Sequence, residues 1–393
     1  MGTDVVETAH RAIELACVGW AELRPDIAII SVRSPDPGQA ARGLEVASEE
    51  VNARTTIGAS VAGVVGSGRR VDSGVAVSVW GAVLPGSRTR GFHLEVMRTG
   101  DAMAVVGMPA RSFDDVLVFL LADANSFPTE QYVATSHDAL SGLPVLGGEV
   151  APSRIAGETR LVVDGRVHER GAVGLVLGGD VHVDMLTAQG AMPIGDPMTV
   201  TSTDGPLITS LAGRPAASVL DDVVRSLPRE QQAIALDGLH LGIALDEYVD
   251  AHGPGGFAIR GVEAVPAHQQ GALQVDGEVR TGQTVRFHLR DAESAHEELQ
   301  LTLDRYRELT ASSISGVFMV SDIGRGEGFF DSRDHDIATI GDRLRTQAVA
   351  GLASQGQIAP AHGRSRLHTY ATTMAVFPTS TWVADHIEDG SVL

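Results

Sequence analysis

Hydrophobic and polar positions along this chain alternate between a helical and an extended period. Val5 to Trp20 and Gly38 to Ala53 carry apolar residues at helical spacing. Between them, Ile27 to Val32 is a short apolar run flanked by Pro25 and Pro35, which predicts a strand. Gly74 to Leu84 predicts a long strand. Asp115 to Asp123 predicts a strand, Thr129 to Leu140 a helix and Gly171 to Leu177 a closing strand. A hairpin, Arg160 to Val163 and Arg166 to Glu169, reads as an insertion before that closing strand. Its Asp164-Gly165 pair suits a type I′ turn. Farther on, Ala217 to Leu227 predicts a helix, and strands are predicted at Leu239 to Leu245, Phe257 to Val262, Gly271 to Asp276 and Val285 to Leu289. Ala292 to Leu309 predicts a helix with Glu297 and Glu298 on its exposed side. Asp291 is placed to cap it, ahead of Ser294 and His296. Gly316 to Ser321 predicts a strand, His335 to Arg345 a helix and Leu367 to Phe377 a strand.

One order of elements occurs at both ends of the chain: helix, strand, helix, short strand, glycine-rich stretch, strand. Ser60 matches Ser354, Gly66 matches Pro360 and Val83 matches Phe377 at one constant offset without a gap. A third copy lies between, with Pro144 to Pro152 as its glycine-rich stretch. This reading gives an α/β protein with mixed sheets covered by helices, built from duplicated α/β units. The division falls at residues 1–216 and 217–393, with 180–216 linking the parts. The three glycine-rich stretches read as equivalent loops at strand ends, where ligand sites form on a rigid scaffold.

Composition narrows the function classes. The net charge of -20 repels nucleic acid and anionic lipid, so neither is expected as a partner. None of the 30 basic residues is lysine, which removes lysine nucleophiles and the P-loop lysine. Cys17, the single cysteine, excludes an internal disulfide and a CxxC site. It falls in the apolar pattern of the first helix and reads as a buried thiol. The N-terminus has no signal-peptide core, and Thr, Ser, His and Pro break the uncharged run Leu367 to Ala384. The expected location is cytoplasmic. No two histidines have HxH or HExxH spacing, and Asp334-His335-Asp336 suits a solvated helix start. No metal is expected.

Several short pieces carry a family resemblance. They are Gly58-Ala59-Ser60-Val61-Ala62-Gly63-Val64-Val65-Gly66, Gln189-Gly190 with Pro193-Ile194-Gly195, and Gly213-Arg214-Pro215-Ala216. In the C-terminal part they are Gly256-Phe257 with Ile259-Arg260, Phe287-His288 with Arg290-Asp291-Ala292, Gly324-Arg325-Gly326, and Ile358 with Pro360. By their number and order the chain resembles the FIST family, as a stand-alone member of the actinobacterial type with pseudo-symmetric N-terminal and C-terminal FIST domains. The resemblance implies a sensory, signal-transducing protein that binds a small ligand, with amino acids as the proposed ligands of some members. A separate signalling protein is then the partner, since no F-box or fused output is expected in this length. One branch of the family resembles haem-binding gas sensors, so haem stays as an alternative although no cofactor is expected. Ala191 and Asp322 stand where relatives often have cysteine, and Gln357 where they often have glutamate. Thiol-dependent chemistry is therefore not expected.

The candidate ligand residues are Ser60, Gly63, Gln189, Gly190, Pro193, Gly195, Arg260, Gly324, Arg325, Gly326, Ser354 and Gln357. Arg325 offers a planar fork among glycines that free backbone amides, which suits a small anion. Gln189 and Gln357 would orient that anion in a cleft between the two parts. The competing reading of Gly324-Arg325-Gly326-Glu327-Gly328 is a flexible surface loop, and that of Gln189 to Pro197 a rigid connector. Arg260, if inward-facing, needs an acid or a ligand. An enzyme reading uses Ser60 or Ser354 as a hydrolase nucleophile, but no GxSxG strand–turn–helix elbow supports it.

Overall fold

The computed structural model describes residues 4–20, 23–100, 102–153, 155–236, 238–247, 256–265 and 271–379. In chain order, the first segment holds α1 (Val5–Gly19), β1 (Ile27–Arg33), α2 (Pro37–Val51), β2 (Thr55–Ser60), β3 (Gly63–Gly66), β4 (Arg69–Val71) and β5 (Ala76–Ala82). The second holds β6 (Ser87–Thr99), β7 (Ala102–Val106), β8 (Asp115–Asp123), α3 (Thr129–Ala139), β9 (Val145–Val150), β10 (Leu161–Val163), β11 (Arg166–His168) and β12 (Ala172–Gly179). Next come β13 (Asp184–Ala188), β14 (Met192–Asp204), β15 (Leu207–Leu211), β16 (Arg214–Pro215), α4 (Ala216–Ser226) and α5 (Arg229–Ile234). They are followed by β17 (Leu239–Ala244), β18 (Phe257–Ala264), β19 (Leu273–Val275), β20 (Thr284–Leu289) and α6 (Ala292–Leu309). The last segment holds β21 (Ile314–Asp322), α7 (Glu327–Phe330), α8 (His335–Leu344), β22 (Val349–Ser354), β23 (Gly356–Ala361), β24 (Arg364–His368) and β25 (Thr372–Pro378).

The chain forms two compact units, one from residues 1–187, 302–367 and 371–393, the other from 188–301 and 368–370. These units do not follow the sequence division at 216/217, because the last segment joins the first two in a common core.

In the first unit one pairing scheme recurs three times. β1 pairs parallel with β2 and antiparallel with β5. β8 does the same with β9 and β12, and β21 with β22 and β25. Each segment then sends a hairpin to another segment's sheet: β3 pairs with β22, β10 with β2 and β23 with β9. The exchange is cyclic. The hairpin read as an insertion, β10–β11, is thus the counterpart of β3–β4 and β23–β24. It turns at Asp164 and Gly165, both with positive φ, as a type I′ turn requires.

The sequence offset is kept in the register: Val32 pairs with Ser60 and Asp322 with Ser354, while Ile27 pairs with Ala82 and Val317 with Val376. The glycine-rich stretches are strands, however, not loops. Val145–Val150 is β9, Gly63–Gly66 is β3 and Gly356–Ala361 is β23. Their glycines answer a packing need. A Cβ at Gly147 or Gly351 would strike the carbonyl oxygen of Leu120 or Met319, the residue each pairs with.

Alternation sends one face of all three sheets into a single core that includes Ile29, Ile57, Leu117, Leu175, Val320 and Leu352. Trp80, Phe119, Phe318 and Phe377 meet there, with centroids 5.6 Å apart for Trp80–Phe318, 5.2 Å for Trp80–Phe377 and 5.8 Å for Phe119–Phe318. Helices cover the outer faces: α1 and α2 pack over Ala28 and Ile30, and α3 over Val118 and Leu120. Cys17 corrects the sequence reading. It is exposed, because the buried stripe of α1 runs through Val5, Ala9 and Ile13 and has rotated away by the last turn.

The second unit is antiparallel, with strand order β14-β20-β17-β18-β19-β15-β16 and α4 against it. Residues 180–216, read as a linker, therefore supply three strands of this sheet, β14, β15 and β16, while β13 joins the first unit beside β25. The expected irregularity at Gln189 to Pro197 survives as a register shift between Ile194 and Met198, with Gly195 at φ 60. The single strand expected at Leu367 to Phe377 is broken into β24 and β25 at Tyr370, which has φ 61.

Replacing Phe318 by Ala should cost about 3–5 kcal/mol, since it empties the centre shared by three sheets. Replacing Phe113, which is 95% exposed, should change stability by less than about 0.5 kcal/mol. Denaturant unfolding of both variants measures the contrast.

Candidate ligand-binding site

The sequence-derived candidates divide between the two units. Ser60, Gly63, Gly324, Arg325, Gly326, Ser354 and Gln357 belong to the first, and Gln189, Gly190, Pro193, Gly195 and Arg260 to the second.

In the first unit the candidates are interior struts. Arg325 is fully buried, and its Nε and Nη2 donate to the two oxygens of Asp336 at 2.8 and 2.9 Å. Ser321 Oγ donates to Asp336 at 2.7 Å, and His335 Nδ1 lies 3.0 Å from its other oxygen. Burial alone would raise the Asp336 pKa, but Arg325, His335 and Ser321 together hold it well below the ordinary carboxylate range. His335 is therefore not a solvated helix start; its ring stacks on Phe330 at 3.6 Å. Arg325 does not offer its fork to an external anion, because Asp336 already occupies it.

A residue that sequence reasoning missed fixes the backbone around Arg325. Arg70 on β4 donates through Nη1 to the carbonyls of Asp322 and Arg325 at 3.1 and 3.0 Å. Its Nη2 donates to Ile323 at 2.9 Å, and its Nε to Asp72 at 2.8 Å. The stretch read as a flexible loop is thus clamped, and Glu327–Phe330 is helical. Gln357 Nε2 donates to Asp322 at 3.2 Å and to Ser354 Oγ at 3.0 Å, while its Oε1 accepts from the Ala371 amide at 3.1 Å. The two serines are also structural. Ser60 Oγ accepts from the Arg160 amide at 2.8 Å, and Ser354 Oγ donates to the Gly356 carbonyl at 3.0 Å. At 0% and 1% exposure, neither hydroxyl is placed to attack a substrate, which overturns the hydrolase reading.

The second unit holds a different constellation. β17 and β20 place His240 opposite His288, and alternation puts both on the sheet face away from the core residues Leu241 and Phe287. Ile259 of β18 pairs with Gly242 and so shares that face. His240 Nδ1 lies 3.0 Å from the Gly238 carbonyl and His288 Nδ1 3.0 Å from that of Arg286. Since a carbonyl only accepts, Nδ1 carries the proton in each ring and Nε2 is the acceptor. Burial pushes both pKa values down, that of His288 to about 4, so both rings are neutral at neutral pH. The strands run antiparallel and each ring leans toward its own preceding residues, so the rings diverge. His240 meets Tyr370 at 4.5 Å and His288 meets Phe257 at 5.1 Å. Gly242 leaves room for the His288 ring, which a Cβ would strike. Among the described residues no group of three His, Cys, Asp or Glu could hold a metal ion.

Around these rings, Arg290 lies over the Tyr370 ring at 4.8 Å. Gln189 Nε2 donates to the Phe257 carbonyl at 3.0 Å and to His368 Nδ1 at 3.1 Å. The Gln189 and Gly190 amides donate to the Glu298 carboxylate, so Glu298 is not simply a solvated helix residue. Asp291 caps α6 as expected, accepting from the Ser294 amide at 2.9 Å. Pro193 pairs with His288, and the Gly195 carbonyl accepts from Arg286 Nε at 2.9 Å. Arg260 pairs opposite Leu241 and falls on the other face. Gln189 and Gly190, two of the sequence candidates, lie beside these rings; His240 and Tyr370 were not singled out in the sequence, and His288 and Arg290 stood only among the family pieces. The alternation in Leu239-His240-Leu241 and Phe287-His288-Leu289 was the available signal for the two histidines.

The FIST N domain family matches residues 26–214 and the FIST C domain family residues 216–360. An uncharacterised protein of Mycobacterium tuberculosis is 34% identical over 375 residues, covering 95% of this chain and 97% of its own length. An uncharacterised protein of Mycobacterium bovis is 33% identical over 374 residues, covering 94% of this chain and 96% of its own. No helix among the described residues is long and apolar enough to cross a membrane.

Asp336→Asn should destabilise the protein by about 3–5 kcal/mol, because it leaves Arg325 buried without its counter-charge. The depressed Asp336 pKa makes its contribution fully present above the ordinary carboxylate range and lost as pH falls below it. Wild type should therefore lose more stability on acidification below pH ~4 than the Asn variant does. His288 titrates at a higher pH. Its folded pKa of about 4 lies below the unfolded value, so stability should fall by up to about 3 kcal/mol between neutrality and pH 4. Denaturant unfolding of His288→Phe across that range should show a shallower decline.

Proposed function

Because the chain belongs to the FIST family, whose domains are sensory and signal-transducing, we propose that it is a non-catalytic sensor of a small metabolite. The ligand is held on the His240–His288 face of the second unit. The observation that carries this reading is the fixed tautomer of the two rings. Buried neutral imidazoles whose Nδ1 protons are committed to the backbone present Nε2 only as an acceptor. They suit a ligand group that brings N–H donors, such as an ammonium. Arg290 supplies the opposite chemistry nearby, a planar cation suited to a carboxylate. A small molecule carrying both groups, such as an amino acid, matches this pairing. The anionic part of the expected ligand therefore moves from Arg325 to Arg290.

A thermal-shift panel of amino acids, nucleotides and haem, run beside an absorption spectrum, tests the proposal. The expected result is stabilisation by one or more amino acids that both Arg290→Ala and His240→Phe abolish. Stabilisation that survives both substitutions, or no response to any amino acid, would refute the assignment. A Soret band would favour a haem sensor instead.

A further inference from the structure

One row of residues crosses the antiparallel sheet on the face that carries the paired histidines. His288 lies opposite His240, and His240 lies opposite Gly261. Val262 pairs with Val275, so Asp276, just past β19, takes the next position opposite Gly261, and its amide donates to the Gly261 carbonyl at 3.0 Å. Opposite residues of antiparallel strands share a face. The row therefore runs from imidazole to imidazole, then to a bare glycine, then to a carboxylate. The glycine decides where that carboxylate goes. A Cβ at Gly261 would lie 2.3 Å from Asp276 Oδ2, so the acid leans over the glycine toward His240. The Tyr370 hydroxyl comes within 3.6 Å of the same point, and the Tyr370 ring meets His240 at 4.5 Å and the Arg290 guanidinium at 4.8 Å. Burial is the first cause of the lowered His240 pKa, but Arg290 adds to it and Asp276 opposes it, so both charges act at this ring. Asp276 is exposed, and among the described residues its carboxylate makes no hydrogen bond or ion pair.

On the reading of this face as an amino-acid site, on which the assignment rests, we infer that Asp276 is the counter-charge for the ligand's ammonium. The site then selects zwitterionic amino acids over 2-hydroxy acids of the same skeleton. Arg290 alone would not make that choice, because both compounds carry the carboxylate that suits it. Neither would the Nε2 acceptors, since a neutral imidazole accepts from a hydroxyl as well as from an ammonium. A carboxylate rewards the cation through a charge-assisted hydrogen bond. Gly261 belongs to the same device, because any side chain there would hold Asp276 off the row.

Calorimetric titration of the full chain with matched pairs tests the assignment: alanine with lactate, leucine with 2-hydroxyisocaproate, phenylalanine with phenyllactate, and glutamate with 2-hydroxyglutarate. Wild type should bind the amino acid of a pair at least about fivefold more tightly than the hydroxy acid. Asp276→Asn should remove that preference by weakening the amino acid alone, and Asp276→Glu should keep it. Gly261→Ala puts a methyl group where Asp276 Oδ2 sits and should weaken the amino acid in the same way with the acid still present. It decides the matter even if the asparagine proves poorly folded. An amino acid whose binding needs Arg290 but tolerates both Asp276→Asn and Gly261→Ala overturns the role of Asp276 and leaves the amino-acid site standing. So does a wild type that binds both members of a pair equally. No binding by any of these amino acids overturns the inference together with the reading it rests on.

Discussion

The first unit depends on one requirement: β2, β9 and β22 each need an antiparallel neighbour that their own segment does not supply. A strand buried on both faces cannot leave a row of backbone groups unpaired without a large penalty. The chain meets that need with hairpins exchanged in a ring, β10 to β2, β23 to β9 and β3 to β22. The aromatic centre follows from the closure of this ring. Trp80 comes from the first segment, Phe119 from the second, and Phe318 and Phe377 from the third. The buried arginine pair belongs to the same logic. Arg70 rides on an exchanged hairpin and satisfies three carbonyls in the turn after β21, and Arg325 in that turn is neutralised by Asp336.

The two units spend their polar residues differently. In the first, Arg325, Asp336, Gln357 and both serines bond to one another or to backbone, which gives rigidity. In the second, His240 and His288 use one ring nitrogen for the backbone and keep the other as an acceptor beside Arg290 and Tyr370. That contrast supports the proposal that the antiparallel unit holds the ligand.

Much of the fold was legible in the sequence. β8 and α6 fall where periodicity puts them, and the constant offset from Ser60 to Ser354 is the true register of two sheets. Glycine misled in one consistent way. At Gly147 it reads as a turn former, whereas its role is to let strands approach. The candidate site was less legible. Arg325 among glycines looks like an anion fork, and nothing local reveals that Asp336, eleven positions on, fills it. Arg70 gave no signal, since the three carbonyls it binds lie some 250 residues away in sequence. Gln189 and Gly190 were candidates, but their contacts with Glu298 and His368 arise only in the folded unit.

The ring of exchanged hairpins also governs how the chain reaches its native state. β3 waits for β22, nearly 300 residues later, and β9 waits for β23, so the decisive pairings are among the most distant in sequence. Such topology is slow to form, because long loops close before the contacts that reward closure exist. During synthesis β10 completes the first segment's sheet once the second segment has emerged, but β9 lacks its neighbour β23, and β3 lacks β22, until residues near and beyond 350 have left the ribosome. The nascent protein therefore passes through a long interval with apolar strands unprotected. A chaperone acting in that interval would govern yield more than the stability of the finished fold does.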